Sequence, residues 1–77
     1  MDDSKIGVII PAYNEALSIG KVVLEIPQTV TEIVVVNNGS TDETEIKAIS
    51  AGATVLNEPR KGYGHACLCG INYFNNL

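Results

Sequence analysis

The sequence predicts an α/β domain: a three-stranded parallel sheet in the order 3-2-1, with a helix after each strand. Three observations carry this. Short aliphatic, β-branched runs alternate three times with longer helix-forming stretches. Each junction is marked by Gly, Pro, Asn or Ser. The run Ile33 to Val36 is aliphatic without a break, as a strand covered on both faces must be. Strands that alternate with helices pair in parallel through right-handed crossovers.

Taken in order, the first strand is expected over Lys5 to Ile10. Pro11 should stop it, since proline cannot donate to a ladder. Asn14 can cap a helix running from Glu15 to Ile26, with Leu17, Val22, Val23 and Ile26 as its apolar stripe and Pro27 behind it. The second strand is Glu32 to Val36. Ser40 or Thr41 should cap a helix from Asp42 to Ala51, whose first turns carry Asp42, Glu43 and Glu45. Gly52 closes that helix. The third strand is Ala53 to Leu56, and the last helix runs from Tyr63 to Phe74. This is half of a doubly wound, Rossmann-like nucleotide-binding fold. All its strand-to-helix loops lie on one sheet edge, so residues 12–15, 37–41 and 57–64 should converge.

The 77 residues make one domain, 1–77, expected to be partial. A chain this short buries only about 60% of its unfolded surface. With 45% hydrophobic and 18% charged residues it is globular, and no aliphatic run approaches a bilayer span. Asp2 and Asp3 stand where a secretory leader would be basic, so the chain is expected to be cytoplasmic. Residues 1–45 hold eight acids and two bases; residues 46–77 hold one acid and three bases. No basic stripe for nucleic acid is present. The small positive excess at Arg60 and Lys61 suits a local anion. Cys67 and Cys69 are two apart on a helix and point to different sides, as small buried or half-buried thiols rather than metal ligands. His65 is expected to face solvent.

The three loops carry the chemistry. Tyr13 offers a flat apolar face beside Glu15 in a helix start. Asn37 and Asn38 end a buried strand with amides that match the donor and acceptor edge of a pyrimidine such as uracil. Gly39 allows a positive φ. Arg60 and Lys61, beside Gly62 and a helix N-terminus, suit a diphosphate. Each loop also has a plainer reading as a turn and helix cap. Gly62-x-Gly64 begins a dinucleotide fingerprint, but Cys67 stands where the third glycine would be.

Together the segments VIIPAYNEALSIGKVV, EIVVVNNGSTDET and GATVLNEPRKGYGHACLCGINY resemble the N-terminal part of family 2 glycosyltransferases. They look closest to the branch that makes dolichol- or polyprenyl-phosphate sugars. The resemblance implies a GT-A fold, a nucleotide-diphosphate-sugar donor and a divalent Mg²⁺ or Mn²⁺. It implies that Pro11, Ala12, Tyr13 and Glu15 line the nucleotide, that Asn37, Asn38 and Gly39 face the base, and that Arg60, Lys61 and Gly62 lie by the diphosphate. The acceptor it implies is a hydroxyl or a lipid phosphate such as a polyprenyl phosphate, with membrane association in a full-length form.

Two departures from the family pattern stand out. The family usually has an aspartate at one of the positions held by Asn37 and Asn38; the amides favour UDP over GDP. The family's metal-binding Asp-x-Asp does not occur before Leu77, and the aspartates are Asp2, Asp3 and Asp42 alone. The isolated chain is therefore expected to bind a donor nucleotide, to lack transferase activity and catalytic residues, and to expose its first strand for homodimer pairing. The alternatives are a small α/β interaction module without catalysis and a nucleotidyltransferase-like domain. The latter would need a glycine-rich first loop, which PAYNE is not.

Overall fold

The computed structural model describes residues 6–76. It contains, in order, β1 (Gly7–Ala12), α1 (Ile19–Leu24), β2 (Glu32–Asn37), α2 (Thr44–Ser50), β3 (Thr54–Asn57) and α3 (Tyr63–Asn75). The three strands are parallel with β2 in the middle, the expected 3-2-1 order. The expected start at Lys5 and the acids Asp2 and Asp3 lie outside the described residues.

The central strand is the most buried element. Val34, Val35 and Val36 are all fully buried. Their side chains alternate between two apolar layers. Val35 packs with Ile19 and Val23 of α1, Ala48 of α2, and Ala12 and Ala53. Val34 and Val36 face the other way, onto Ala66, Cys69, Tyr73 and Phe74 of α3. The sheet is thus covered on both faces, α1 and α2 on one and α3 on the other.

Pro11 does not end β1, which continues to Ala12. The reason lies in which way each residue faces. The carbonyls of Ile6 and Ala12 accept from Thr31 (2.8 Å) and Asn38 (2.9 Å) on the β2 side. Alternate residues in a parallel strand turn their main-chain groups to the same neighbour, so even-numbered residues bond to β2. Pro11 faces the open edge, where a missing N–H costs no ladder bond.

The first helix starts at Ile19, four residues later than expected. Asn14 sits at φ +52°, which breaks the helical path, and the amides of residues 14–16 are spent on another loop, as described below. The late start shifts the helix phase. Ile19 and Val23 become the buried residues, while Leu17 is fully exposed and Val22 is 42% exposed. Likewise α2 begins at Thr44 with Glu43 at its cap position, not Ser40 or Thr41.

The last helix lies unusually close to β1, because two glycines leave room for it. A Cβ on Gly70 would stand 2.6 Å from Cγ2 of Ile9, and one on Gly7 would stand 2.5 Å from the Phe74 ring. Gly70→Ala should therefore lower stability by about 1–3 kcal/mol through overpacking. Gly64, in the same helix, has nothing within 4 Å of such a Cβ. Gly64→Ala should be neutral or raise stability by up to about 1 kcal/mol. Urea midpoints of the two variants check this; equal midpoints would show that α3 yields without cost.

Candidate functional site

Parallel strands place residues 12–18, 37–43 and 57–62 on one edge of the sheet, and side chains then tie these loops to one another. Several hydrogen bonds join the first loop to the second loop and the start of α2. The Asn14 N–H donates to Oγ of Ser40 (2.9 Å), and the Thr41 N–H donates to Oδ1 of Asn14 (2.8 Å). The Glu15 N–H donates to Oγ1 of Thr44 (2.8 Å), and the Ala16 N–H to Oδ2 of Asp42 (3.2 Å). Asp42 also accepts from the N–H and hydroxyl of Thr44. The Thr44 hydroxyl is the main cause that holds the Asp42 carboxyl below its ordinary range.

The second and third loops are joined by the paired asparagines. Asn37 is buried; its Nδ2 donates to Oδ1 of Asn57 (3.0 Å), and its Oδ1 accepts from the Ser40 N–H (3.1 Å). Asn38 donates from Nδ2 to the carbonyls of Glu58 and Arg60, each at 2.8 Å. Its Oδ1 accepts from the Gly62 N–H at 3.1 Å. Both hydrogens of the Asn38 amide are used, so it has none left for a ligand.

Between the loops lies an open cleft of about 370 Å³ lined by Tyr13, Asn38, Lys61 and Gly62. Half of Tyr13 is exposed. The Lys61 ammonium stands 5.7 Å from the centre of the Tyr13 ring, within cation–π range. Gly62 takes φ +116°, a value that favours glycine, and so turns the chain into α3. Among the described residues Lys61 forms no ion pair, and it lines the cleft. A flat aromatic face beside an uncommitted cation can hold a base on one side and a phosphate on the other.

Arg60 is placed differently. Its guanidinium and its N–H all turn back onto Glu58. Nε and the main-chain N–H reach Oε2 at 3.0 and 2.8 Å, and Nη2 reaches Oε1 at 2.9 Å. Glu58 is only 5% exposed. Its hydrogen bonds from the Arg60 side chain, then from the Arg60 N–H, pull its pKa down to about 2.

Of the ten residues singled out in the sequence, Tyr13, Asn38, Lys61 and Gly62 therefore come together. Asn37 and Gly39 line a neighbouring hollow of about 290 Å³ with Asn57, Glu58 and Pro59. Ala12 is core and Pro11 is half-buried beside it. Glu15 accepts from the Ser18 hydroxyl at 3.1 Å. Asp42, Thr44 and Glu58 were not singled out. Glu58, an acid two residues before Arg60, was the legible signal of an internal pair. Among the described residues no group of three or more His, Cys, Asp or Glu could hold a metal ion, so the residues present do not fit one. No described helix is long and apolar enough to cross a membrane.

Comparison with known proteins gives a consistent result. The model of glycosyl transferase family 2 matches residues 7–76. The chain is 41% identical over 71 residues to an uncharacterized glycosyltransferase of Mycobacterium tuberculosis, covering 92% of this chain and 32% of that protein. It is 42% identical over 74 residues to the 4,4'-diaponeurosporenoate glycosyltransferase of Staphylococcus aureus, covering 86% of this chain and 20% of that one. In structure it is similar to glucosyl-3-phosphoglycerate synthase from M. tuberculosis, in complex with Mn²⁺, UDP-glucose and phosphoglyceric acid. The TM-score is 0.83 at 34% identity, over 92% of this chain and 29% of that one. The same enzyme has also been solved with Mg²⁺ and UDP. The chain thus spans 20 to 32% of the length of these two curated relatives.

The Glu58–Arg60 pair makes a pH prediction. A carboxyl held below its ordinary value stabilises the fold above that value. Its contribution is complete above pH 4.5 and is lost as pH falls towards about 2. The stability difference between the wild-type chain and Glu58→Gln should thus be largest at neutral pH and shrink to nothing near the lower limit. Denaturant midpoints across that range measure it; a difference that does not change with pH would show that Arg60 does not hold the carboxylate.

Proposed function

The chain belongs to glycosyl transferase family 2, and on that basis we propose that its loop cleft is the donor-nucleotide half of a sugar-transfer site, with a UDP-sugar as donor. The observation that carries this is the pairing of Tyr13 with Lys61 in one cleft at the C-terminal edge of a parallel sheet. Uracil stacks against Tyr13, and the diphosphate lies towards the Lys61 ammonium and Gly62. Pro11, Ala12 and Glu15 belong to the strand end and loop that carry Tyr13, and Asn37 and Gly39 line the neighbouring hollow.

UDP is favoured for a different reason from the one the sequence suggested. The Asn37 and Asn38 amides are engaged within the protein, so they do not supply a free edge for a base. Support comes instead from the similar enzyme, solved with UDP-glucose and with UDP. Arg60 is held by Glu58 and does not line the cleft, which leaves Lys61 as the cation for the diphosphate. The divalent ions in the similar enzyme have no fitting ligand set among residues 6–76, so no step is routed through a metal here.

In this reading the chain selects the donor and not the acceptor. Relatives that share this segment carry different substrates in their names, a phosphoglycerate in one and 4,4'-diaponeurosporenoate in another. A polyprenyl phosphate acceptor would be chosen by residues outside this segment, as would the catalytic base. The isolated chain binds nucleotide without transferring sugar. Homodimer pairing through β1 would use the edge-facing residues Gly7 and Ile9, and Pro11 would limit it.

Calorimetric titration should show UDP binding more tightly than GDP. Lys61→Ala should weaken UDP about tenfold, the loss of one charge-assisted contact. Tighter GDP binding would overturn the choice of nucleotide. No binding of either would favour an interaction module without catalysis. A sugar-transfer assay of the 77-residue chain with Mn²⁺ should give no turnover.

A further inference from the structure

We infer that Asn38 is a positioning residue of the donor pocket: its amide latches residues 58–62 by their main chain and so sets where the Lys61 ammonium stands. This rests on the reading of the cleft as a donor site. One side chain binds three main-chain groups, the carbonyls of Glu58 and Arg60 and the N–H of Gly62. Lys61 lies between the last two of these points. The anchor itself is fixed, because the Asn38 N–H donates to the Ala12 carbonyl at 2.9 Å, directly after the buried strand β2. The Glu58 N–H in turn donates to the Asn37 carbonyl at 2.9 Å.

The Glu58–Arg60 pair stiffens residues 58–60 but reaches neither Lys61 nor Gly62. Asn38 reaches Gly62 through its Oδ1 and so holds the main chain on both sides of Lys61. The latch needs two donors and one acceptor in a planar group of this size, which an amide supplies. A carboxylate at the same position keeps the shape and can accept from Gly62. It would also set its oxygens against two carbonyl oxygens with no hydrogen between them, and that repulsion carries residues 58–62, the Gly62 N–H included, away from residue 38.

That near-isosteric change gives the test, in the full 77-residue chain. UDP and uridine are titrated into the wild type, Asn38→Asp, Lys61→Ala and the double variant, and amide exchange is followed at Gly62. If Asn38 acts through Lys61, Asn38→Asp should weaken UDP about tenfold. It should leave uridine within about twofold, and in the double variant add no more than about twofold to Lys61→Ala. The Gly62 amide should exchange faster. Additive losses, or an equal loss for uridine, would make Asn38 a direct reader of the base and overturn the inference. So would unchanged protection at Gly62. If Asn38→Asp does not fold, Asn38→Ser, which keeps one donor and one acceptor, takes its place in the same cycle with a smaller loss. A wild-type chain that bound no UDP would sink the donor reading; exchange at Gly62, which needs no ligand, would still decide whether the latch exists.

Discussion

Everything in this structure depends on the burial of β2. Three consecutive valines with no exposed surface need a strand on each side and a helical layer on each face. Only parallel neighbours joined by crossovers meet that demand in so short a chain. Once the crossovers are in place, every strand ends at the same edge of the sheet. The convergence of three distant loops is thus a consequence of core packing. The pocket needs no separate folding instruction.

What the core does not do is order those loops. Fixing a residue's backbone costs about 1–2 kcal/mol, and a hydrogen bond returns about 0.5–1.5 kcal/mol net. A loop therefore stays ordered only if it gains close to one bond per residue. Residues 14–16 each give an N–H to the second loop or to Thr44 at the start of α2, Asn38 donates to the third loop, and within that loop the Glu58 carboxylate accepts from the Arg60 N–H. None of the three N-cap residues, Ser18, Glu43 and Gly62, makes a side-chain cap bond. The side chains that cap isolated helices are used here between loops. With α1 and α2 only six and seven residues long, both rely on tertiary packing rather than on helix propensity.

This division also explains what could be read from the sequence. Strand order, the doubly wound layering and the convergence of the loops follow from hydrophobic period, and they are as expected. So is the meeting of Tyr13, Asn38, Lys61 and Gly62 in one cleft, because topology alone places them. The misreadings share another origin. Pro11 inside β1 and the late start of α1 depend on contacts between residues 20 or more apart, or on which side of a strand lies open. Local propensity carries neither kind of information. Asn14 and Asp42 look like ordinary caps until their partners in the other loop are known, and a carboxylate in NEPRKG looks solvated until the fold buries it.

The Asn38 bonds have one more consequence, for sequence change over time. All three end on main-chain atoms, which every residue type possesses. The side chains at 59 and 61 can therefore be exchanged without breaking the latch, provided Gly62 keeps its N–H and its positive φ. One fixed asparagine gives the loop a constant backbone and lets its chemistry drift. A fold that holds its variable residues in this way can try new ligands while keeping its shape.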